Sequence, residues 1–77
     1  AYIAHRLDRE AQILAQLDAG QTKITQMVPV MYAAVDSRLH PAACHSVLAH
    51  MARLVKRGVV DSDTGAASLE AAYRRAG

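Results

Sequence analysis

Four histidines and one cysteine supply the metal-ligating and nucleophilic chemistry available to this chain: His5, His40, Cys44, His45 and His50. Their spacing works against a shared site. His40, His45 and His50 are five apart, and five helical residues turn about 500°, so successive rings point roughly 140° from one another. Ligation of one metal from a single helix needs a spacing of three or four. His40 and Cys44 have that spacing, but His40 precedes Pro41 at the expected start of a helix. Only that helix N-terminus would lower the Cys44 thiol pKa. The histidines are therefore expected to cap, pack or face solvent, and no catalytic or metal-binding set is expected.

The ionic residues offer more. Arg6 and Glu10 are four apart, close enough to pair on one helix. At about 100° per residue they fall on or beside an apolar stripe of Ile3, Leu7 and Leu14. One reading is an amphipathic pair at the helix edge, with long stems lying over the core. Farther on, Arg53, Lys56 and Arg57 gather at the end of another segment, and Arg74 and Arg75 stand near the end of the chain. Dipole complementation suffices for the first cluster. With Arg74 and Arg75 added, the five form a candidate phosphate-contacting patch.

These residues need elements to position them. Residues 2–18 read as a helix striped by Ile3, Leu7, Ala11, Leu14 and Leu17, with Gly20 as its C-terminal stop. "QTKITQMVPVMYAAVD" predicts a second helix capped by Thr22 or Thr25, and Pro29 favours the later start because proline breaks a helix interior. Lys23 and Ile24 could then form a very short strand. Val28, Met31, Tyr32 and Val35 make the inner face of this helix. "SRLHPAACHSVLAHMARLVKRG" is the clearest helix, with Pro41 at the first helical position after His40, a stripe of Val47, Leu48, Met51, Leu54 and Val55, and Gly58 at its end. "DSDTG" is turn chemistry. Val59 and Val60 favour a strand. Beyond Gly65, the alternation of Leu69, Ala71 and Tyr73 with Ser68, Glu70, Ala72 and Arg74 suits a half-buried strand, although the same residues suit a helix. Three helices and a hairpin make a winged helix; four helices are the competing arrangement.

Composition sets the bounds. A chain of 77 residues is one domain and hides only about 60% of its unfolded surface. The hydrophobic fraction is 52%, but sixteen of those residues are alanines, and there is no Phe or Trp. That favours close-packed helices. The net charge of +2 is too small to announce nucleic acid by itself. The single cysteine excludes an internal disulfide and a Cys-x-x-Cys zinc site. No signal peptide and no apolar run near about 18 residues is present. The expectation is a cytoplasmic protein without a membrane span. The chain begins inside a helical pattern without an initiator Met, which suggests a processed chain or a piece of a larger protein.

In this order and spacing, "YIAHRLDREAQIL", "MVPVMYAAVD" and "LHPAACHSVLAHMARLVKRGVV" resemble the C-terminal winged-helix domain attached to metallo-β-lactamase-fold hydrolases. The nearest group is that of the β-lactamase-like endoribonucleases. The words that carry the resemblance are His5-Arg6 followed by Arg9-Glu10, Tyr32 at the end of the second helix, the run from Leu39 to His50, and Gly58. Two places depart from the family's pattern. Lys23 and Gln26 stand where a Thr and an acidic residue form a capping box, and the tail is Ala-rich before its aromatic, Tyr73.

The resemblance implies that residues 1–77 are a single winged-helix domain, mainly α with a short β-hairpin wing, from the C-terminal part of a larger hydrolase. It implies a parent that is a metal-dependent hydrolase, a zinc enzyme and a possible nuclease, whose His-x-His-x-Asp-His signature is missing from these residues. The partner is then the N-terminal metallo-β-lactamase-fold domain of the same protein. The first two helical turns, with Tyr2, His5, Arg6, Arg9 and Glu10, would face it and help shape substrate access. In the isolated domain Arg6 and Glu10 would be largely hydrated. RNA or DNA contacts would be weak, from Arg53, Lys56, Arg57, Arg74 and Arg75. The alternative is a free-standing winged-helix DNA-binding regulator, whose third helix would read bases with His45, Ser46, Ala49, His50 and Arg53. A third is a dimerisation module.

Overall fold

The computed structural model describes residues 2–76, with side chains from residue 5 onward. Its helices are α1 (Tyr2–Asp18), α2 (Ile24–Met31) and α3 (His40–Lys56), with a 3₁₀ turn at Ser37–Leu39. Two strands follow, β1 (Val60–Ser62) and β2 (Tyr73–Arg75). They pair antiparallel, with Val60 opposite Arg75, Asp61 opposite Arg74 and Ser62 opposite Tyr73. This is a winged helix, three helices and a hairpin.

Each long helix stops at a glycine for the same reason. The Gly20 N–H bonds the Leu17 carbonyl and the Gln21 N–H reaches back to Gln16. Gly58 bonds Val55 while Val59 reaches Leu54. Both glycines have positive φ, 94° and 76°, the left-handed turn this closure requires.

Helix α2 starts between the two expected caps. Lys23 is its cap residue, and Gln26 Oε1 accepts from the Thr22 and Lys23 N–H groups at 3.1 and 3.2 Å. A glutamine at the third helical position thus makes the backward half of a capping box, bonding the N–H of the cap residue and of the residue before it. Lys23 also bridges Ala72, so the short extended piece exists and attaches to the wing. Pro29 lies inside α2 at an exposed position, where it cannot donate the usual backbone bond to the preceding turn.

The core is formed by Ile13, Ile24, Met27, Val28, Ala43, Val47, Met51, Leu54, Val60, Ala71 and Tyr73, all buried. The stripe of α3 stands as expected, with Leu48 and Val55 packed at its margin. The stripe of α1 does not. Leu7 is 52% exposed and Ala11 is exposed, while Ile13 is fully buried. The inward line of the described side chains runs through Glu10, Ile13, Leu14 and Leu17, because the helix rolls to set Glu10 rather than Leu7 against α3. Val35 is likewise exposed rather than inner, beyond the end of α2.

The tail after Gly65, which suited strand and helix alike, is no helix: it bends at 65–66 and 69–70, and only Tyr73–Arg75 forms a strand. Ala71 and Tyr73 are buried and Leu69 half-buried, whereas Ser68, Glu70 and Arg74 are exposed. The Tyr73 hydroxyl donates to the Ser68 carbonyl and accepts from the Ser68 N–H at 2.8 Å. One phenol therefore closes the long wing loop onto the core.

Candidate functional site

Helices α1 and α3 meet along a polar seam. On α3, Ser46, His50, Arg53 and Arg57 follow one another at intervals of four, three and four, which places them on one face. Opposite them, α1 contributes Arg6, Arg9 and Glu10. Glu10 is 4% exposed. Its carboxylate lies 3.6 Å from Arg57 Nη1, 3.8 Å from Arg53 Nε and 3.9 Å from His50 Nδ1. Each contact is longer than a hydrogen bond. Glu10 Oε2, His50 Nδ1 and Arg6 Nε are all buried without a hydrogen-bond partner among the described residues.

Two expectations change here. Glu10 is not hydrated in this domain; α3 buries it. Its cationic neighbours are Arg53 and Arg57, with the His50 ring beside them, and no Arg6–Glu10 ion pair occurs among the described residues. Arg6 is half-buried, with its head beside a pocket instead. Arg9 is held separately. Its guanidinium lies 4.4 Å from the centre of the Tyr32 ring and donates to Gln12 Oε1 at 3.0 Å, fastening α1 to the end of α2.

The pocket, of about 250 Å³, is lined by His5, Arg6, Arg9, Ser46 and His50. Of the five residues expected to face a second domain, His5, Arg6 and Arg9 line this pocket between the domain's own helices, and Glu10 lies buried beside it. The fifth, Tyr2, belongs to α1, but its side chain lies outside the described part. Burial pushes the His50 imidazole below its ordinary pKa of 6.5. Glu10 pulls the other way, and Arg53, Arg9 and Arg6 add to the depression. The pocket therefore presents a neutral-leaning imidazole among guanidiniums.

Four of the five residues expected to touch phosphate have other neighbours. Arg53 and Arg57 face Glu10. Arg75 Nη1 donates to Asp18 at 3.0 Å, and Arg74 stands 4.0 Å from Asp61. Lys56 is exposed without a carboxylate partner among the described residues. The proposed base-reading face of α3 is thinned in the same way. His50 and Arg53 turn toward Glu10 and Ser46 lines the pocket, leaving His45 and Ala49 outward.

His40 has a structural post. Its Nε2 lies 3.1 Å from the Tyr32 carbonyl and 3.2 Å from that of Val35, clasping the loop between α2 and α3. Among the described residues, no group of three or more His, Cys, Asp or Glu could hold a metal ion. A larger apolar hollow of about 510 Å³ lies between α2, the start of α3 and Leu69, with Val28, Pro29, Pro41 and Cys44 in its wall. No described helix is long and apolar enough to cross a membrane.

The phosphate-patch reading took Arg53 and Arg57 as one cluster and passed over the spacing of Ser46, His50, Arg53 and Arg57. That spacing was the available signal for a polar face aimed at another helix. No curated protein and no solved structure matches the chain significantly. The family model described as the β-lactamase-associated winged-helix domain matches residues 24–68, and with more than half its length so matched the chain belongs to that family.

Proposed function

We propose that this domain is the accessory C-terminal part of a metallo-β-lactamase-fold hydrolase, packing on the catalytic domain and helping to shape substrate access. The metal chemistry, with zinc as the metal, belongs to that catalytic domain. The family supports association with a β-lactamase-fold protein. The observation that carries the docking reading is the state of the first turns of α1. Leu7 is 52% exposed, and beside it Arg6 Nε and His50 Nδ1 are buried without hydrogen-bond partners among the described residues. Enclosed polar atoms without partners call for a neighbouring group to satisfy them, and Leu7 beside them offers apolar surface to the same neighbour. The regulator reading is weaker because Arg53, Arg57, Arg74 and Arg75 all face carboxylates.

The reading frame upstream of Ala1 is the first test: a metal-ligand signature there supports the proposal, and a start codon immediately before Ala1 overturns it. The second is Leu7→Asp. In the 77-residue chain it should shift melting by no more than about 0.5 kcal/mol, the usual range for a surface change. In the two-domain protein it should speed proteolysis at the domain junction and lower activity. Unchanged proteolysis and activity would remove the docking surface from α1.

A further inference from the structure

The α1–α3 pocket carries an excess of positive charge. Arg53 and Arg57 gather at Glu10, and Arg6 and Arg9 line the pocket with His5, Ser46 and His50. Two guanidiniums therefore face the one carboxylate of the seam, and two more line the pocket beside it. That carboxylate is itself almost wholly enclosed, its side chain 6% exposed. Arg9 is occupied by Gln12 and the Tyr32 ring, whereas Arg6 Nε has no acceptor among the described residues. An N–H donor enclosed in this way calls for an oxyanion, and the guanidinium fork matches a carboxylate in two parallel bonds.

We propose that this pocket is an oxyanion site, and that its occupant is the carboxylate of an acidic side chain on the β-lactamase-fold domain, gripped by Arg6 and His50. The proposal rests on the docking reading above and names the chemistry of the contact. A nucleic-acid phosphate fits less well. The basic residues that would track its neighbouring phosphates, Arg53, Arg57, Arg74 and Arg75, all face carboxylates of this chain. A doubly charged phosphate would also stand close to Glu10.

His50 makes the site pH-dependent. The groups facing it are Glu10, Arg6 and Arg9 from α1 and Arg53 from its own helix, with Ser46 and His5 in the same pocket wall. Burial and the guanidiniums favour the neutral ring. An incoming carboxylate adds negative charge and favours the protonated one. Binding therefore takes up a proton, and affinity rises as pH falls through 6.5 and below.

The probe is sodium acetate, titrated at constant ionic strength into the 77-residue chain at pH 7.5 and pH 6.0. NMR follows the Arg6 Nε–H and the His5 and His50 rings. Saturable shifts at Arg6 and His50 are expected, severalfold tighter at pH 6.0, weakened about tenfold in Arg6→Gln and partly restored in Arg6→Lys. Circular dichroism melts confirm that each variant is folded; should Arg6→Gln fail to fold, His50→Gln must abolish the pH dependence instead. Acetate shifts that do not saturate, or that persist unchanged in the folded variants, overturn the site. Inorganic phosphate binding tenfold more tightly than acetate overturns the carboxylate as occupant. Because the titration needs no second domain, the pocket can fail while the Leu7→Asp test still supports docking. An upstream frame without the hydrolase domain removes both docking and the assigned occupant, even if acetate binds.

Discussion

Removing a carboxylate from water costs several kcal/mol unless nearby cations and hydrogen bonds replace its solvation. For Glu10 the replacement is a loose cage, with Arg57, Arg53 and His50 at 3.6–3.9 Å. The two arginine side chains are 39% and 58% exposed, so each alone contributes little after screening. Together they are what stands between Glu10 and an unpaired buried charge. Arg53→Ala with Arg57→Ala should therefore cost about 2–4 kcal/mol, more than the sum of the single changes. Adding Glu10→Leu should recover most of that loss. Urea melts of the four variants measure it; a double mutant as stable as the parent would show that Glu10 is solvated after all. This cage was not legible in the sequence. Arg6 is the natural partner by spacing, but helical periodicity says nothing about which helix will lie opposite. His50, Arg53 and Arg57 become neighbours of Glu10 only once α1 and α3 have packed.

Elements with strong local signals could be read directly. α1 and α3 declare themselves through periodicity and through glycines that accept positive φ, whereas the tail after Gly65 suits strand and helix alike until its pairing with β1 decides for the wing. The start of α2 escaped because its donors are capped from inside the helix by Gln26, while Lys23 takes part in a bridge to Ala72. Neither a backward-reaching glutamine nor a single long-range bridge leaves a local pattern. The roll of α1 escaped as well. Leu7 satisfies the apolar stripe as well as Ile13 does, and the choice between them depends on the neighbour. The wing's closure is testable at this scale. Tyr73→Phe keeps the buried ring but strands the Ser68 N–H and carbonyl that the hydroxyl serves. The expected loss is about 1–2 kcal/mol. At roughly 4–8 °C per kcal/mol for a domain of this size, thermal circular dichroism resolves it readily. Unchanged melting would mean that the loop is held by its other contacts.

Across the whole molecule, five of the nine basic side chains face carboxylates, namely Arg38, Arg53, Arg57, Arg74 and Arg75. Besides the Glu10 cage, Arg38 grips Asp36 and Arg75 reaches Asp18. Few cations remain to displace counterions from a duplex. Binding to DNA should be weak and indifferent to sequence, with log affinity falling by roughly 0.9 per contact against log salt and a total slope near two or less. Fluorescence anisotropy with two unrelated duplexes across a salt series checks this. Submicromolar affinity for one of them at physiological salt would restore the regulator reading.

The bracketing of β2 has a further consequence. Its far side meets β1, and its near end is held by the bridge from Lys23 to Ala72 and by the Tyr73 N–H bonded to the Thr22 carbonyl at 2.8 Å. The remaining outer edge belongs to β1, three residues long, with Asp61 exposed at its middle. A foreign strand seeking to extend the sheet finds a short template with a charge in it, which is how natural edges discourage runaway stacking. Copies of this domain brought together at high concentration should therefore resist fibril growth through the wing.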